Sequence, residues 1–346
     1  MTIPVLRWGI LGTGHIASRF ATQVAALGGR ARLQAVGARD PAHAAAFAKT
    51  YGVVRSGSYA EVLADPAVDA VYISLLNRDH AAWSIRASRA GKRVLCEKPA
   101  ALSGSELASM LEAARSAGTF WMEAFAYRCH PRWLALRCLL PEIGVPLTAH
   151  AVFSFHGGAP LKPRLLDPLG GGALMDVGCY PLSWLTALLG APESVRCTAR
   201  HAAIGVDLAA AVSLGFPGGN VATALCGCDV ALPTTAVIAG SEGSIEIAEP
   251  FRQHGGAVFR LHLGSTTRDI TWDDDGLELY AREALAVAEF GGRLEHPQMT
   301  WADSRLLVQV LDACRAEAGV RWPDEPRSLS GIDSSPRCSH RDHGDH

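Results

Sequence analysis

The sequence predicts an α/β protein, with a doubly wound parallel sheet at its N-terminus. An α+β part follows, built on a large, mainly antiparallel open sheet. Three observations carry this. The glycine-rich turn Gly12-Thr13-Gly14-His15-Ile16-Ala17 joins an apolar run to a helical pattern. Apolar strands and helical segments then alternate as far as Glu123. Beyond Leu147 most segments are long and strand-like, divided by turns such as Phe216-Pro217-Gly218-Gly219-Asn220.

Taken in order, Val5–Leu11 reads as a buried strand and Ser18–Leu27 as the helix after the turn. Gly12-x-Gly14-x-x-Ala17 in a strand–turn–helix setting is a dinucleotide-binding pattern. Gly12 permits the tight turn, Gly14 lets the backbone approach a pyrophosphate, and Ala17 allows close helix packing. Amides at the helix start, from Thr13 to Ile16, would meet the phosphates. The second strand, Arg32–Ala38, ends without an acid and is followed by Arg39-Asp40-Pro41. A guanidinium there suits a 2′-phosphate, so NADP is favoured over NAD. Asp40 either takes the ribose role or caps the helix Pro41–Tyr51. Val53-Val54 is read as the third strand, Ser58–Ala64 as a helix and Ala70–Leu75 as the fourth strand. Asn77 and His80 fall on the loop after it. Ala81–Ala90 is helical, and the strand Arg93–Cys96 ends at Glu97-Lys98-Pro99. Proline cannot continue a ladder, so Lys98 stands at the carboxyl edge of the sheet, where such folds bind ligands.

Ser103–Ala117 is read as a helix and Thr119–Glu123 as the sixth strand. The chain divides into 1–123 for dinucleotide binding, 124–326 for substrate and oligomerisation, and a disordered tail, 327–346. A helix runs from Pro131 to about Leu140. The later strands are read at 147–156, 194–203, 207–216, 220–230, 235–239, 244–248, 257–263 and 267–272, with closing helices Leu279–Phe290 and Trp301–Ala318. One helix, Ala173–Leu189, follows Gly170-Gly171-Gly172 and places Asp176 and Tyr180 four residues apart on one face. Gly178 and Pro181 weaken it, and such departures from local propensity cluster at functional sites.

With 49% hydrophobic and 19% charged residues, the chain has ample material for a core. A formal net charge of −2 leaves no footprint for nucleic acid or an anionic membrane. The apolar start is too short for a signal peptide, and no run is long enough to span a bilayer. Nine cysteines without framework spacing point to reduced thiols and a cytoplasmic setting. Cys226-Gly227-Cys228 lacks two further ligands for a metal, so no metal is expected.

The turn at Gly12–Ala17, Glu97-Lys98-Pro99, Glu123-Ala124-Phe125 with Arg128 and His130-Pro131, and Gly170 to Pro181 occur in an order and spacing that resemble the Gfo/Idh/MocA oxidoreductases. Within them the likeness is to the trans-dihydrodiol and D-xylose dehydrogenase branch, and it extends over residues 5 to 325. It implies hydride transfer between NADP and a carbinol of a sugar, polyol or cyclic diol. Lys98 would be the catalytic lysine and Tyr180 the acid–base tyrosine, with Asp176 and His80 lining the pocket. Asn77, Glu97 and Lys98 would join the turn residues and Arg39 around the cofactor. The likeness also implies a homodimer or homotetramer through the C-terminal sheet. Leu76 stands where the family commonly has proline, which bears on the loop shape. The Lys98 ammonium is expected to lower the Tyr180 pKa. Arg164, Trp121, Phe153, Phe155 and Trp272 are either pocket walls or core and surface. The scarcity of basic residues around the Asp176 helix speaks against a nucleotide-sugar. A non-catalytic NAD(P)-binding sensor on the same fold is the competing reading.

Overall fold

The structure, a computed structural model, describes residues 5–252, 258–272 and 275–323. The tail expected to be disordered lies outside the described residues, as do residues 257 and 324–326 of the predicted segments. Six strands, β1 (Leu6–Leu11), β2 (Ala31–Gly37), β3 (Arg55–Gly57), β4 (Ala70–Ile73), β5 (Arg93–Glu97) and β6 (Trp121–Ala124), form one parallel sheet in the order β3-β2-β1-β4-β5-β6. Both faces are covered, so the central strands are mostly buried along their length rather than alternating, while the edge strand β3 is short and exposed. Tyr72 and Leu95 enter one core, while Val71, Ile73, Val94 and Cys96 enter the other. The strand order reverses direction between β1 and β4, the place where open α/β sheets leave a crevice at their carboxyl edge.

The helices α1 (His15–Ala25), α2 (Pro41–Tyr51), α3 (Tyr59–Ala64), α4 (His80–Arg89) and α5 (Gly104–Ala117) alternate with these strands. Several boundaries differ from the sequence reading, and three of the differences have a clear local cause. The first helix begins at His15, so Gly14 is its N-cap. His80 heads α4 rather than lying on a loop. The third strand is Arg55–Gly57 instead of Val53-Val54: the Val53 amide is still bonded to Ala48 O, closing α2 behind Gly52 in a left-handed conformation, so pairing with β2 starts two residues later.

After α6 (Pro131–Leu139), eight strands build the second sheet: β7 (Pro146–Ser154), β8 (Ser194–His201), β9 (Asp207–Gly215), β10 (Val221–Gly227), β11 (Thr235–Gly240), β12 (Gly243–Ala248), β13 (Phe259–Leu263) and β14 (Thr266–Ile270). Their order is β14-β13-β12-β11-β7-β10-β9-β8, antiparallel except for the β7–β10 pair. A π turn, Leu174–Gly178, runs directly into α7 (Cys179–Leu189), and the two pack on β7 and β10. The closing helices α8 (Leu279–Phe290) and α9 (Trp301–Ala318) turn back to the first sheet, α8 against α1 and α9 against α5.

Buried polar contacts fix that return. Trp301 Nε1 donates to Trp121 O, and Trp322 Nε1 to Leu102 O. Glu123, on β6, accepts from the Ala100 amide at 2.9 Å and from Ser304 Oγ at 2.7 Å. Burial pushes the Glu123 carboxyl up to about 7 despite these donors. A carboxyl raised on folding lends its stability below its unfolded value and loses it as pH climbs through the folded one. The Glu123→Gln variant lacks the charge: its amide oxygen still accepts from Ala100, while the amide NH2 donates to Ser304 Oγ in place of accepting from it. Its stability relative to the parent, read from urea unfolding, is expected to grow as pH rises from about 4.5 to about 7.5 and to level off above that.

Candidate active site

The crevice at the switch point is a cleft of about 1270 Å³. That is larger than an ordinary small-molecule pocket, and roomy enough for a dinucleotide and a substrate together. At one end, Gly12 has φ +112°, and a Cβ there would lie 2.7 Å from Ser74 O. Only glycine allows this turn. A Cβ on Gly14 would meet nothing within 4 Å and would project into open space. Gly14 caps α1 without a side-chain bond, and the first turn of α1 holds no acid. The free amides of that turn and the positive end of the helix therefore suit a phosphate. Thr13, His15 and Ile16 line the same end, while Ala17 is fully buried beneath it. These residues fit a dinucleotide.

Arg39 stands at the rim beyond β2, with Ala38, His43 and Tyr59. Asp40, the alternative ribose ligand, caps α2 by accepting from the Ala42 amide at 2.8 Å. His43 carried no signal in the sequence: it reaches the rim because it lies one helical turn after Arg39.

Lys98 directly follows β5 and lines the cleft. Its Nζ donates to the main-chain oxygen of Asp176 at 2.8 Å and lies 4.9 Å from the centroid of the Tyr180 ring. The Asp176 carboxylate turns away to an ion pair with Arg164. The π turn explains why Asp176 and Tyr180 do not pair as an ordinary i, i+4 couple: its wider winding rotates Asp176 relative to α7. Buried Asp207, on β9, holds the start of this turn, accepting from the Leu174 amide at 2.7 Å. Nothing local in the sequence marked Asp207, which acts over 33 residues.

The electrostatics correct one expectation. Burial lowers the Lys98 pKa, but Cys179, Asp176 and Glu97 outweigh it and leave the amine above its ordinary value. The Tyr180 pKa is not lowered. Burial raises it well above the usual phenol value, and Glu97, Cys179 and Glu283 add to that. The ammonium faces the ring rather than the hydroxyl, so it does little for the phenolate. Both groups are protonated at neutral pH. Glu97 accepts from the buried Tyr72 hydroxyl and the Lys98 amide, and burial raises its pKa against the pull of Lys98.

His80 and Asn77 shape the cleft by tying loops together. His80 is 1% exposed, with Nδ1 2.9 Å from Pro99 O and Nε2 3.3 Å from Leu75 O. Burial lowers its pKa to about 4, so the ring is neutral and braces the turn that carries Lys98. Asn77 donates to Gly170 O at 2.7 Å, and Arg78 pairs with Asp167 beside it. Leu76 has φ −71°, within the range proline adopts, so the loop keeps the course a proline would set.

Phe153, Phe155 and Arg164 line the substrate half of the cleft, with Lys162, Phe251, Arg252 and Tyr280, which the sequence did not single out. Trp121 is buried in the sheet core, and Trp272 packs on Phe259 and His130, so neither lines the cleft. Among the described residues no cluster of His, Cys, Asp and Glu could hold a metal ion, and no helix is long and apolar enough to cross a membrane.

Comparison with known proteins agrees with this geometry. Residues 6–125 match the oxidoreductase family with an NAD-binding Rossmann fold, and residues 141–246 match the GFO/IDH/MocA C-terminal domain. The chain is 32% identical to trans-1,2-dihydrobenzene-1,2-diol dehydrogenase of Mus musculus, over 93% of this chain and 99% of that protein. The Homo sapiens enzyme of the same name is 31% identical over 93% of this chain and 99% of its own length. Among solved structures, a 3-ketoreductase from Actinomadura kijaniata in complex with NADP and TDP-benzene superposes with a TM-score of 0.83 at 26% identity, covering 91% of this chain and 98% of that one. An aldose-aldose oxidoreductase from Caulobacter crescentus gives 0.82, also at 26% identity and with the same coverage. Matched by the two family models over residues 6–125 and 141–246 and by curated relatives over nearly the whole chain, this protein belongs to the Gfo/Idh/MocA family of NAD(P)-dependent oxidoreductases.

Proposed function

We propose that the protein is an NADP-dependent dehydrogenase acting on the CH–OH group of a sugar, polyol or cyclic trans-diol. The observation that carries this is the convergence of Lys98 Nζ and Tyr180 in the cleft that also holds the Gly12–Ala17 turn. Gly12, Thr13, Gly14, His15 and Ile16 hold the diphosphate, with Ala17 packed beneath, and Arg39 with His43 takes the 2′-phosphate. Asn77 and Glu97 border the nicotinamide side.

Bound NADP supplies the hydride acceptor. The carbinol carbon gives up its hydrogen with the bonding pair, its oxygen gives up a proton, and a carbonyl remains. Tyr180 exchanges that proton at its hydroxyl. Lys98 donates to the same oxygen, and its grip on Asp176 O sets where the ammonium points. Asp176 and Arg164 form a polar wall for the substrate hydroxyls, and His80 positions the Lys98 turn without touching substrate. The aromatic rings around Tyr180 exclude water from the reacting centre. The outward face of the second sheet carries half-exposed Val221 with Leu225 and Val237, which supports a homodimer through that face.

The Lys98→Met variant is expected to lose about 10²–10⁴-fold in kcat with a far smaller loss of NADP affinity. Unchanged turnover would remove Lys98 from the chemistry, and a parent protein that binds NADP but turns over no carbinol would favour the sensor reading. Since Tyr180 is held protonated, carbinol oxidation should accelerate as pH rises from about 7 to about 10, while the reverse reduction stays level over most of that interval. A rate of oxidation independent of pH there would remove Tyr180 from the proton's path. The Arg39→Ala variant should bind NADP about tenfold or more weakly, by fluorescence titration, with little change for NAD.

A further inference from the structure

We propose that the natural substrate carries an anionic oxygen group, a carboxylate or a phosphate monoester, on its sugar or polyol frame. Arg252 and Lys162 hold that group on the side of the pocket away from the cofactor turn. The inference rests on the dehydrogenase reading and adds the substrate class to it.

Four cations line the substrate half of the cleft: Lys98, Lys162, Arg164 and Arg252. The acids beside them are committed, Asp176 to Arg164 and Asp167 to Arg78. Glu278, at the far wall, accepts from Gln23. Lys162 and Arg252 have no carboxylate partner among the described residues. The sequence hid this concentration, because Arg252 follows β12, far along the chain from Lys162 and Arg164, which lie between β7 and the π turn. Two positive charges without a carboxylate partner, exposed on the wall of a cleft lined with aromatic rings, draw an anion to that wall, an arrangement a neutral sugar does not use.

The spacing is suitable. The Arg252 guanidinium lies 4.8 Å over the Phe153 ring, and that ring is 5.1 Å from Tyr180. The guanidinium is therefore no further from the Tyr180 ring than these two lengths together, a span that one six-membered ring with an exocyclic acid can bridge. Stacking on Phe153 orients the planar fork and leaves its edge free for two oxygens. Phe153 and Phe251, stacked at 5.6 Å, offer an apolar wall to the C–H face of the same ring. The anionic group takes no part in the reaction: the carbinol still loses hydride to NADP and a proton to Tyr180.

The test is calorimetric binding to the NADP-saturated protein, with turnover followed in parallel. D-glucuronate, D-galacturonate and D-glucose 6-phosphate are compared with D-glucose and D-galactose. At least one acid is expected to bind about tenfold more tightly than its neutral counterpart, and the advantage should shrink between about 50 and 500 mM salt. The uronates against the phosphate ester show which group the site takes. Arg252→Gln and Lys162→Gln should each reduce the ratio of acid to neutral affinity by about threefold or more, whereas Arg89→Gln, on the remote face of α4, should leave it alone. Equal or absent binding of the acids, or a preference that survives the Arg252→Gln/Lys162→Gln double variant, overturns the proposal. Acid-selective binding without turnover of any sugar would fail the dehydrogenase reading alone, and turnover confined to neutral sugars would fail this inference alone.

Discussion

The hydrogen bond from Lys98 Nζ to the main-chain oxygen of Asp176 joins the two sheets at the one place where chemistry needs them joined. One partner ends a strand of the parallel sheet, and the other belongs to the π turn leading into α7. Everything near it serves one side or the other. His80 and Pro99 brace the lysine's turn, while Asp207 pins the start of the π turn. Asn77 and Arg78 reach across to Gly170 and Asp167, holding the loop that precedes that turn. Without these ties the lysine's three donors would turn toward water, and the tyrosine would lose its neighbour.

The electrostatics follow from the same packing. A buried amine ordinarily loses its proton, yet Lys98 keeps it because acidic groups surround it. Burial works unopposed on Tyr180, whose hydroxyl finds no hydrogen-bond partner among the described residues. The free protein thus holds both protons in place, which on the proposed function is the form that would protonate an alkoxide. On the same reading, oxidation would need the Tyr180 proton removed first, which ties its rate to pH.

Much of this was legible in the sequence wherever a feature is local. The Gly12–Ala17 turn, the strand end at Glu97-Lys98-Pro99 and the strand-rich second half each announce themselves within ten or so residues, because glycine, proline and apolar runs constrain the chain nearby. The fold class and the position of Lys98 followed. What could not be read was the meeting of distant segments. Phe251, Arg252 and Tyr280 reach the cleft, and Asp207 the start of the π turn, from segments far along the chain, and nothing adjacent to them differs from ordinary surface or core. The π turn was hidden for another reason. Gly178 and Pro181 signal a disturbed helix, but the sense of the disturbance depends on packing against Cys226, whose sulfur would lie 2.9 Å from a Cβ at Gly178. The Tyr180 pKa was misjudged because adjacency was known and orientation was not.

The acceptor that anchors Lys98 belongs to the backbone, so no change of side chain at position 176 deletes it. On the proposed function, Asp176 can therefore vary as a substrate contact while the placement of the Lys98 amine is inherited from the shape of the main chain. Substrate choice and the lysine's placement would then rest on one residue but answer to different parts of it. A lineage on this scaffold could therefore retarget its pocket at that position without first rebuilding its catalytic apparatus.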